Sequence, residues 1–512
     1  MQRDTDFPIA IIGAGFAGIG AAIQLIKAGV ESFTIFERAD EIGGTWRDNT
    51  YPGAACDVPS HVYSLSFEQN PNWSQRYATS GEIQEYLLDV VAKWNLRQYM
   101  RLDTEIVEAR FDEDAGAWAL QTSRGERFKA RVVIAGVGGL VDPSYPEIPG
   151  MSEFEGDMMH TARWNHGVDL ADKRVSVIGT GASAVQVVPS IAPIVALLTV
   201  FQRTPAWVVA KFDGFYPRWV KKLLARFPFF LRASRFVKYW VSEIRGPIVF
   251  YNSRLLSAIG VLLSKWNLRR QVKDPELRKK LTPTFQFGCK RVLVSDDYWA
   301  TFERDDVELV TDSIERIEPK GIRTNDGKLH EADAIVLATG FKLGLATAPF
   351  PIIGRGGKTL DQAWSGGAVA YKGMTVSGFP NWFIMMGPNT GPGHTSVLVY
   401  TEAQIAHALE AIEKIRDENL KYVDIRQDVQ DRYNEGIQKR MKHMVWGGCK
   451  SWYLSPDGSN HSLYPGFAAE YVLRARHFRP EEYELARYGD TVADVADERD
   501  PAARALEGVE TA

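Results

Sequence analysis

The sequence predicts an α/β protein: two Rossmann-like three-layer dinucleotide-binding domains with a helical insert. Three observations carry that prediction. An apolar, strand-like run enters Gly13-Ala14-Gly15-Phe16-Ala17-Gly18, a second run enters Gly179-Thr180-Gly181-Ala182-Ser183-Ala184, and residues 211–284 form a basic, aromatic stretch with helical periodicity.

In the first unit, residues 8–12 read as a buried parallel strand, a helix follows through Ile26 and Lys27, and a second strand over 32–36 ends in Glu37. Gly13 permits the tight turn, Gly15 lets the backbone approach a pyrophosphate, and Gly18 lets helix and strand pack closely. The start of the helix offers free backbone N–H groups to phosphates. Glu37 comes 24 residues after Gly13, where a carboxylate can accept from a ribose diol. The order of strand, glycine turn, helix, strand and acid is what separates this segment from a chance glycine-rich loop.

The second unit repeats the order. A strand over 174–178 enters the turn, a helix runs toward Ile191, and a strand over 195–201 ends at Gln202-Arg203, again 24 residues after Gly179. Arginine therefore stands where the first unit has an acid. A carboxylate there repels a 2′-phosphate, whereas a guanidinium binds it through charge-assisted bonds. The first unit thus suits FAD or NAD and the second NADPH, with Gly179, Gly181, Ser183, Arg203 and Thr204 as the NADPH contacts; the plainer reading of Arg203 is an ordinary surface charge. Two further strand-then-glycine stretches, 132–139 and 332–341, each close one unit. Paired units of this kind pass electrons from a nicotinamide to a flavin, with the protein supplying binding and orientation.

Composition narrows the function classes. The 512 residues are 45% hydrophobic and 24% charged, with a formal net charge of -4, which argues against a nucleic-acid binder. The three cysteines, Cys56, Cys289 and Cys449, make neither a disulfide framework nor a zinc pattern. Without a CxxC, and with Trp46 following Gly43-Gly44-Thr45, the first unit is not set up for dithiol exchange. No run of 18 apolar residues is present, and the start, three charged residues in 1–8 before a short apolar run over 9–12, reads as too short and too acidic for a signal peptide. A cytoplasmic location is expected, with peripheral membrane contact left open.

The segment Phe154-Glu155-Gly156-Asp157-Met158-Met159-His160-Thr161-Ala162-Arg163-Trp164-Asn165 resembles the FxGxxxHxxxW fingerprint of the flavin-dependent Baeyer–Villiger monooxygenases. Phe154, Gly156, His160 and Trp164 match, and Asn165 departs from the Pro or Asp that follows in the family. The resemblance runs from about residue 8 to 480 and implies FAD, NADPH, dioxygen and a ketone. It implies that His160 couples the domains rather than acting as the base. Within Tyr51-Pro52-Gly53-Ala54-Ala55-Cys56-Asp57-Val58-Pro59, Asp57 is the carboxylate beside the active-site arginine. Within Gly288-Cys289-Lys290-Arg291, Arg291 is that arginine and Lys290 faces NADP. Thr45, Trp46, Asp57 and Trp452, the last in Ser451-Trp452-Tyr453, join Gly13, Gly15, Gly18 and Glu37 as cofactor contacts. Taken alone, Arg291 and Asp57 read as a surface arginine and a turn acid, Trp46 and Trp452 as core aromatics, and Cys289 and Cys449 as small buried apolar residues.

The implied reaction is NADPH- and O2-dependent oxidation of a lipophilic ketone to an ester or lactone through a C4a-peroxyflavin. Oxidation of sulfur or nitrogen centres is the near alternative, and a membrane-docked flavoprotein with a binding role is the alternative from another class. The implied division is an FAD-binding domain over 1–145 and 380–512, and a linker and NADPH-binding domain over 146–210 and 285–379, with the insert at 211–284.

The insert has its own signature. Residues 211–245 hold nine basic and two acidic residues and ten aromatics, and 246–280 hold eight basic and two acidic residues. The 70 residues carry +13 and the remaining 442 carry -17. Trp219, Val220, Leu223, Leu224 and Phe227 recur at helical spacing, Pro228 interrupts that run, and 255–263 give a second helix ending near Trp266. Two readings follow: a helical subdomain packed on the NADPH domain, or a peripheral contact of 211–245 with anionic membrane. The segment 481–512, with ten acids and three bases, reads as a peripheral helix or tail.

Overall fold

The computed structural model describes residues 7–342, 350–448, 454 and 458–490. Two five-stranded, wholly parallel sheets organise it. The first has the order Trp382–Ile384, Val132–Ala135, Ile9–Ile12, Phe33–Phe36, Met100–Arg101. Consecutive residues of Ile9–Ile12 point to opposite faces. Ile9 and Ile11 join one core with Ile19, Ile23 and Leu25 of the helix Phe16–Lys27, while Ala10 and Ile12 join another with Trp118, Trp364 and Trp382. Both faces are thus covered, which is why this strand is apolar throughout.

The second sheet has the order Val307–Val310, Leu197–Phe201, Arg174–Ile178, Ala334–Leu337, Asp157–His160. Val175 and Val177 pack against the helix Ala182–Ile191, and Ile178 and Leu337 against the opposite core. Each fully buried Val or Ile contributes about 1.5–3 kcal/mol. In both sheets the strand entering the glycine turn lies between the strand ending at Glu37 or Arg203 and the strand that closes the unit. Beside the first sheet stands a smaller one, ordered Ile352–Ile353, Ile106–Asp112, Ala117–Thr122, Arg127–Ala130. Ile352 pairs with Ala109, and Leu360, Ala370 and Phe379 share the core of Ala10 and Ile12, so the chain belongs to the first unit well before residue 379.

The insert forms four helices, Arg218–Arg226, Pro228–Phe250, Arg254–Gln271 and Pro275–Leu281. Pro228 does not merely interrupt the first run. It opens a 23-residue helix, because proline at the first helical position needs no N–H partner and already has a helical φ. The next helix extends past Trp266 to Gln271, and Ser253 caps its start. No helix among the described residues is long and apolar enough to cross a membrane.

Candidate active site

The two glycine turns have matching geometry. Gly13 has φ +98° and Gly179 φ +122°; a Cβ on Gly13 would lie 2.5 Å from the carbonyl oxygen of Gly136, and one on Gly179 2.4 Å from that of Ala338. Both partners directly follow the closing strands. The first helix presses so tightly on its strand that a Cβ on Gly18 would meet the Gly13 carbonyl oxygen at 1.9 Å, whereas Ala184 is accommodated, buried, at the equivalent place. The middle glycines differ from all of these: around Gly15 and Gly181 nothing lies within 4 Å of where a Cβ would stand. Each is also the N-cap of its helix and lacks a side-chain cap, so the first N–H groups are turned toward that open space.

Glu37 is buried beside the first turn. Its Oε2 accepts from Ala14 N at 2.9 Å, and its Oε1 accepts from Ala39 N and from Arg47 Nη1, both at 3.1 Å. A carboxylate has about four acceptor sites, so Oε2 keeps room for a hydroxyl. Gly43 N donates to the Ala14 carbonyl at 3.0 Å, bringing Gly43-Gly44-Thr45-Trp46 over the turn. Thr45 opens a short helix, and Trp46 Nε1 donates to Tyr63 Oη at 3.1 Å, their rings edge to face at 5.4 Å.

At the second turn, Thr180 Oγ1 donates to the Thr204 carbonyl at 2.8 Å, fixing the Arg203-Thr204 loop against the turn. Arg203 is exposed. Lys290 Nζ sits 4.9 Å from the centre of the Phe285 ring. Burial, with the positive charge of Arg203 next, lowers the Lys290 pKa. The two cations therefore stand near enough to repel each other, an arrangement suited to an anion between them.

Arg291 Nη2 donates to Asp57 Oδ2 at 2.5 Å. Asp57 belongs to the 50–57 loop of the first unit, which is docked on the helix Ala182–Ile191 of the second. Tyr51 Oη donates to Gln186 Oε1 at 2.8 Å, Gln186 Nε2 donates to the Ala55 carbonyl at 2.9 Å, and Gly53 lies where a side chain would strike Ser190. Burial raises the Tyr51 pKa, opposed by a hydrogen bond with Ser183. The pair thus sits at the seam of the two nucleotide units. Gln186 was not singled out in the sequence, because its partners lie 131 and 135 residues away.

The fingerprint lies on the second unit. Asp157–His160 is the edge strand of the second sheet, His160 opposite Leu337. The Phe154 ring covers Gly156, where a Cβ would meet the Asp333 carbonyl oxygen at 2.4 Å. Trp164 packs on the core of the second unit. His160 is buried, its Nδ1 accepts from Ala162 N at 3.0 Å, and burial lowers its pKa. It stands against Tyr145 and Phe341, on the two chain segments that cross between the units and pair as Asp142–Pro143 with Phe341–Lys342. Trp452 lies outside the described residues. Cys289 and Cys56 are both buried, and Cys56 is free.

Comparison with known proteins agrees with this architecture. Residues 7–245 match the flavin-binding monooxygenase-like family. A Baeyer–Villiger monooxygenase of Pseudomonas aeruginosa is 41% identical over 483 residues, covering 93% of this chain and 91% of that protein. Among solved structures, the complex of OTEMO with FAD and NADP has a TM-score of 0.84 at 27% identity, and cyclohexanone monooxygenase from Rhodococcus sp. Phi1 bound to NADP+ has 0.84 at 28%; each likeness covers 94% of this chain and 99% of the other. On the strength of this likeness over nearly its whole length, the chain belongs to the Baeyer–Villiger monooxygenases, flavin-dependent enzymes that oxidise ketones.

Proposed function

We propose that the chain oxidises a lipophilic ketone to an ester or lactone at the Arg291–Asp57 pair, with FAD at the first glycine turn and NADPH at the second. The balance is ketone, O2, NADPH and a proton giving ester, NADP+ and water. The observation that carries the reading is the position of that pair, joined at 2.5 Å on the seam between two nucleotide cradles.

Both cradles fit their groups. Open space at Gly15 and Gly181 admits a pyrophosphate, Glu37 keeps acceptor capacity for a ribose, and Arg203 and Lys290 supply charge for a 2′-phosphate. Thr45 and Trp46 border the first cradle, and Ser183 and Thr204 the second. When bound, NADPH supplies the electrons and FAD the oxygen activation. Arg291 cannot lose its proton, so it holds a fixed positive charge where negative charge gathers on the reacting oxygen atoms. Asp57 orients that guanidinium and offsets the cost of drawing it from water. His160, buried against the crossing segments, ties them together and so adjusts how the two units meet. The helical insert, exposed and cationic, fits a lipophilic substrate drawn from a membrane surface.

A ketone that also carries a thioether tests the reading. Ester as the main product supports it, and sulfoxide alone replaces it with heteroatom oxidation.

A further inference from the structure

Two helices of the insert are built inside out. On Pro228–Phe250 the solvent-facing stripe is Phe229, Phe236, Val237, Trp240, Val241 and Ile244, with Phe229 and Ile244 each 73% exposed. On Arg254–Gln271 it is Leu255, Ile259, Leu262, Leu263 and Trp266, with Leu255 72% and Leu262 65% exposed. Both sets recur at three- and four-residue spacing, so each is one continuous helical face. Several polar residues of the same helices are turned inward instead. Arg235 Nη1 donates to the carbonyls of His61, Val62 and Ser64 at 3.0, 3.1 and 2.9 Å. Buried Glu243 pairs with His394 Nε2 at 2.9 Å and accepts from Ala468 N and Ala469 N. Ser264 Oγ donates to the Val208 carbonyl at 2.8 Å, and Asn267 Nδ2 to that of Ser295 at 3.3 Å. These bonds fix the rotation of both helices and leave the apolar stripes outward.

We propose that the two stripes form a docking face that lies in the plane of an anionic bilayer. The choice of occupant rests on charge. Between residues 218 and 272 the single acid is Glu243, and it is buried. Exposed Lys222, Arg226, Arg232, Arg245, Arg254 and Lys265 accompany the stripes. Apolar and aromatic side chains among cations match the boundary between acyl chains and anionic headgroups. A second copy of the chain in symmetric contact would bring two such cationic faces together and is disfavoured. The face is not the 211–245 segment that charge counting points to: Arg235 and Lys238 are turned inward, and the helix to Gln271 joins it. It also reaches the chemistry. Gly288, three residues before Arg291, packs so closely on the helix Pro228–Phe250 that a Cβ there would meet the Val249 carbonyl oxygen at 2.1 Å.

The test is co-sedimentation of the full-length, FAD-loaded protein with vesicles of phosphatidylcholine alone and of equal parts phosphatidylcholine and phosphatidylglycerol. The parent should bind the anionic vesicles at low salt and leave them as salt rises, with FAD retained. Phe236→Ser with Leu262→Ser, and separately Arg232→Glu with Arg245→Glu, should each weaken binding by about tenfold or more. Both pairs should keep the flavin content and the turnover of a water-soluble ketone, which separates loss of docking from loss of fold and from failure of the functional reading. A parent that ignores anionic vesicles at low salt overturns the proposal. So does a parent dimer in sedimentation equilibrium that the Phe236→Ser, Leu262→Ser pair dissociates.

Discussion

Arg291 and Asp57 lie 234 residues apart in sequence, yet Nη2 of one donates to Oδ2 of the other at 2.5 Å, across the seam of the two nucleotide units. The arginine side chain is 45% exposed and the aspartate 24%, so the bond orients more than it stabilises. Arg291→Ala should keep FAD and still accept electrons from NADPH, while ester formation falls by about 10²–10³. Asp57→Asn keeps the shape, loses the charge, and should fall between that variant and the parent. Stopped-flow flavin spectra with product analysis check both; near-parental ester yield from loaded Arg291→Ala would show that the charge is not needed.

The glycines of the first turn separate folding from binding. A Cβ at Gly13 or Gly18 collides with backbone, so Gly13→Ala and Gly18→Ala should express poorly or melt early. Gly15→Ala meets nothing within 4 Å and alters only an N-cap, so its flavin-free form should lose about 1 kcal/mol or less. It should nevertheless bind FAD much more weakly. Circular dichroism of the flavin-free protein and titration with FAD read the two effects separately, and parental FAD affinity in Gly15→Ala would move the cofactor away from this turn.

These glycines also show what could be read in advance. Their roles follow from local backbone geometry, and spacing alone located both turns, Glu37 and Arg203. The insert was legible as helices, but which faces it buries depends on Arg235 and Glu243 meeting backbone groups from distant segments. Gln186 was invisible for the same reason. The bend at Pro228 was legible, but not the long helix it begins, since proline marks a helix start as readily as a stop. Arg291 and Asp57 had meaning only through resemblance, because each is unremarkable in its own stretch of chain.

Coenzyme choice should rest on Arg203 and Lys290. A charge-assisted bond to a 2′-phosphate contributes about 1.5–3 kcal/mol, roughly 10- to 150-fold in affinity. Arg203→Ala should lower kcat/KM for NADPH by a factor in that range and leave NADH nearly unchanged. Steady-state kinetics with both coenzymes decide the point; equal loss with both would make Arg203 a structural residue.

His407 provides a pH signature in the first unit. It is buried, contacts the Ala475 carbonyl through Nδ1 at 2.8 Å and Tyr483 Oη through Nε2 at 2.9 Å, and burial, then the charge of Lys372, pushes its pKa down to about 3. The unfolded chain takes up a proton near pH 6.5 and the folded one does not. Its contribution is therefore complete above pH 6.5 and is lost as pH falls toward 3, by about 1.4 kcal/mol per pH unit. Urea melts of the parent and His407→Gln should show a stability gap that narrows by that slope below pH 6.5. A gap independent of pH between 7 and 5 would mean that the ring is protonated in the folded state.

The most direct test is to supply purified, FAD-loaded protein with NADPH, isotopically labelled dioxygen and a panel of linear, cyclic, aryl and steroidal ketones, and to weigh the products by mass spectrometry. The expected result is an ester or lactone from at least one lipophilic ketone, with one labelled oxygen atom per molecule and NADPH consumed in equal amount. NADPH consumption that yields only hydrogen peroxide, with every ketone recovered unchanged, would contradict it.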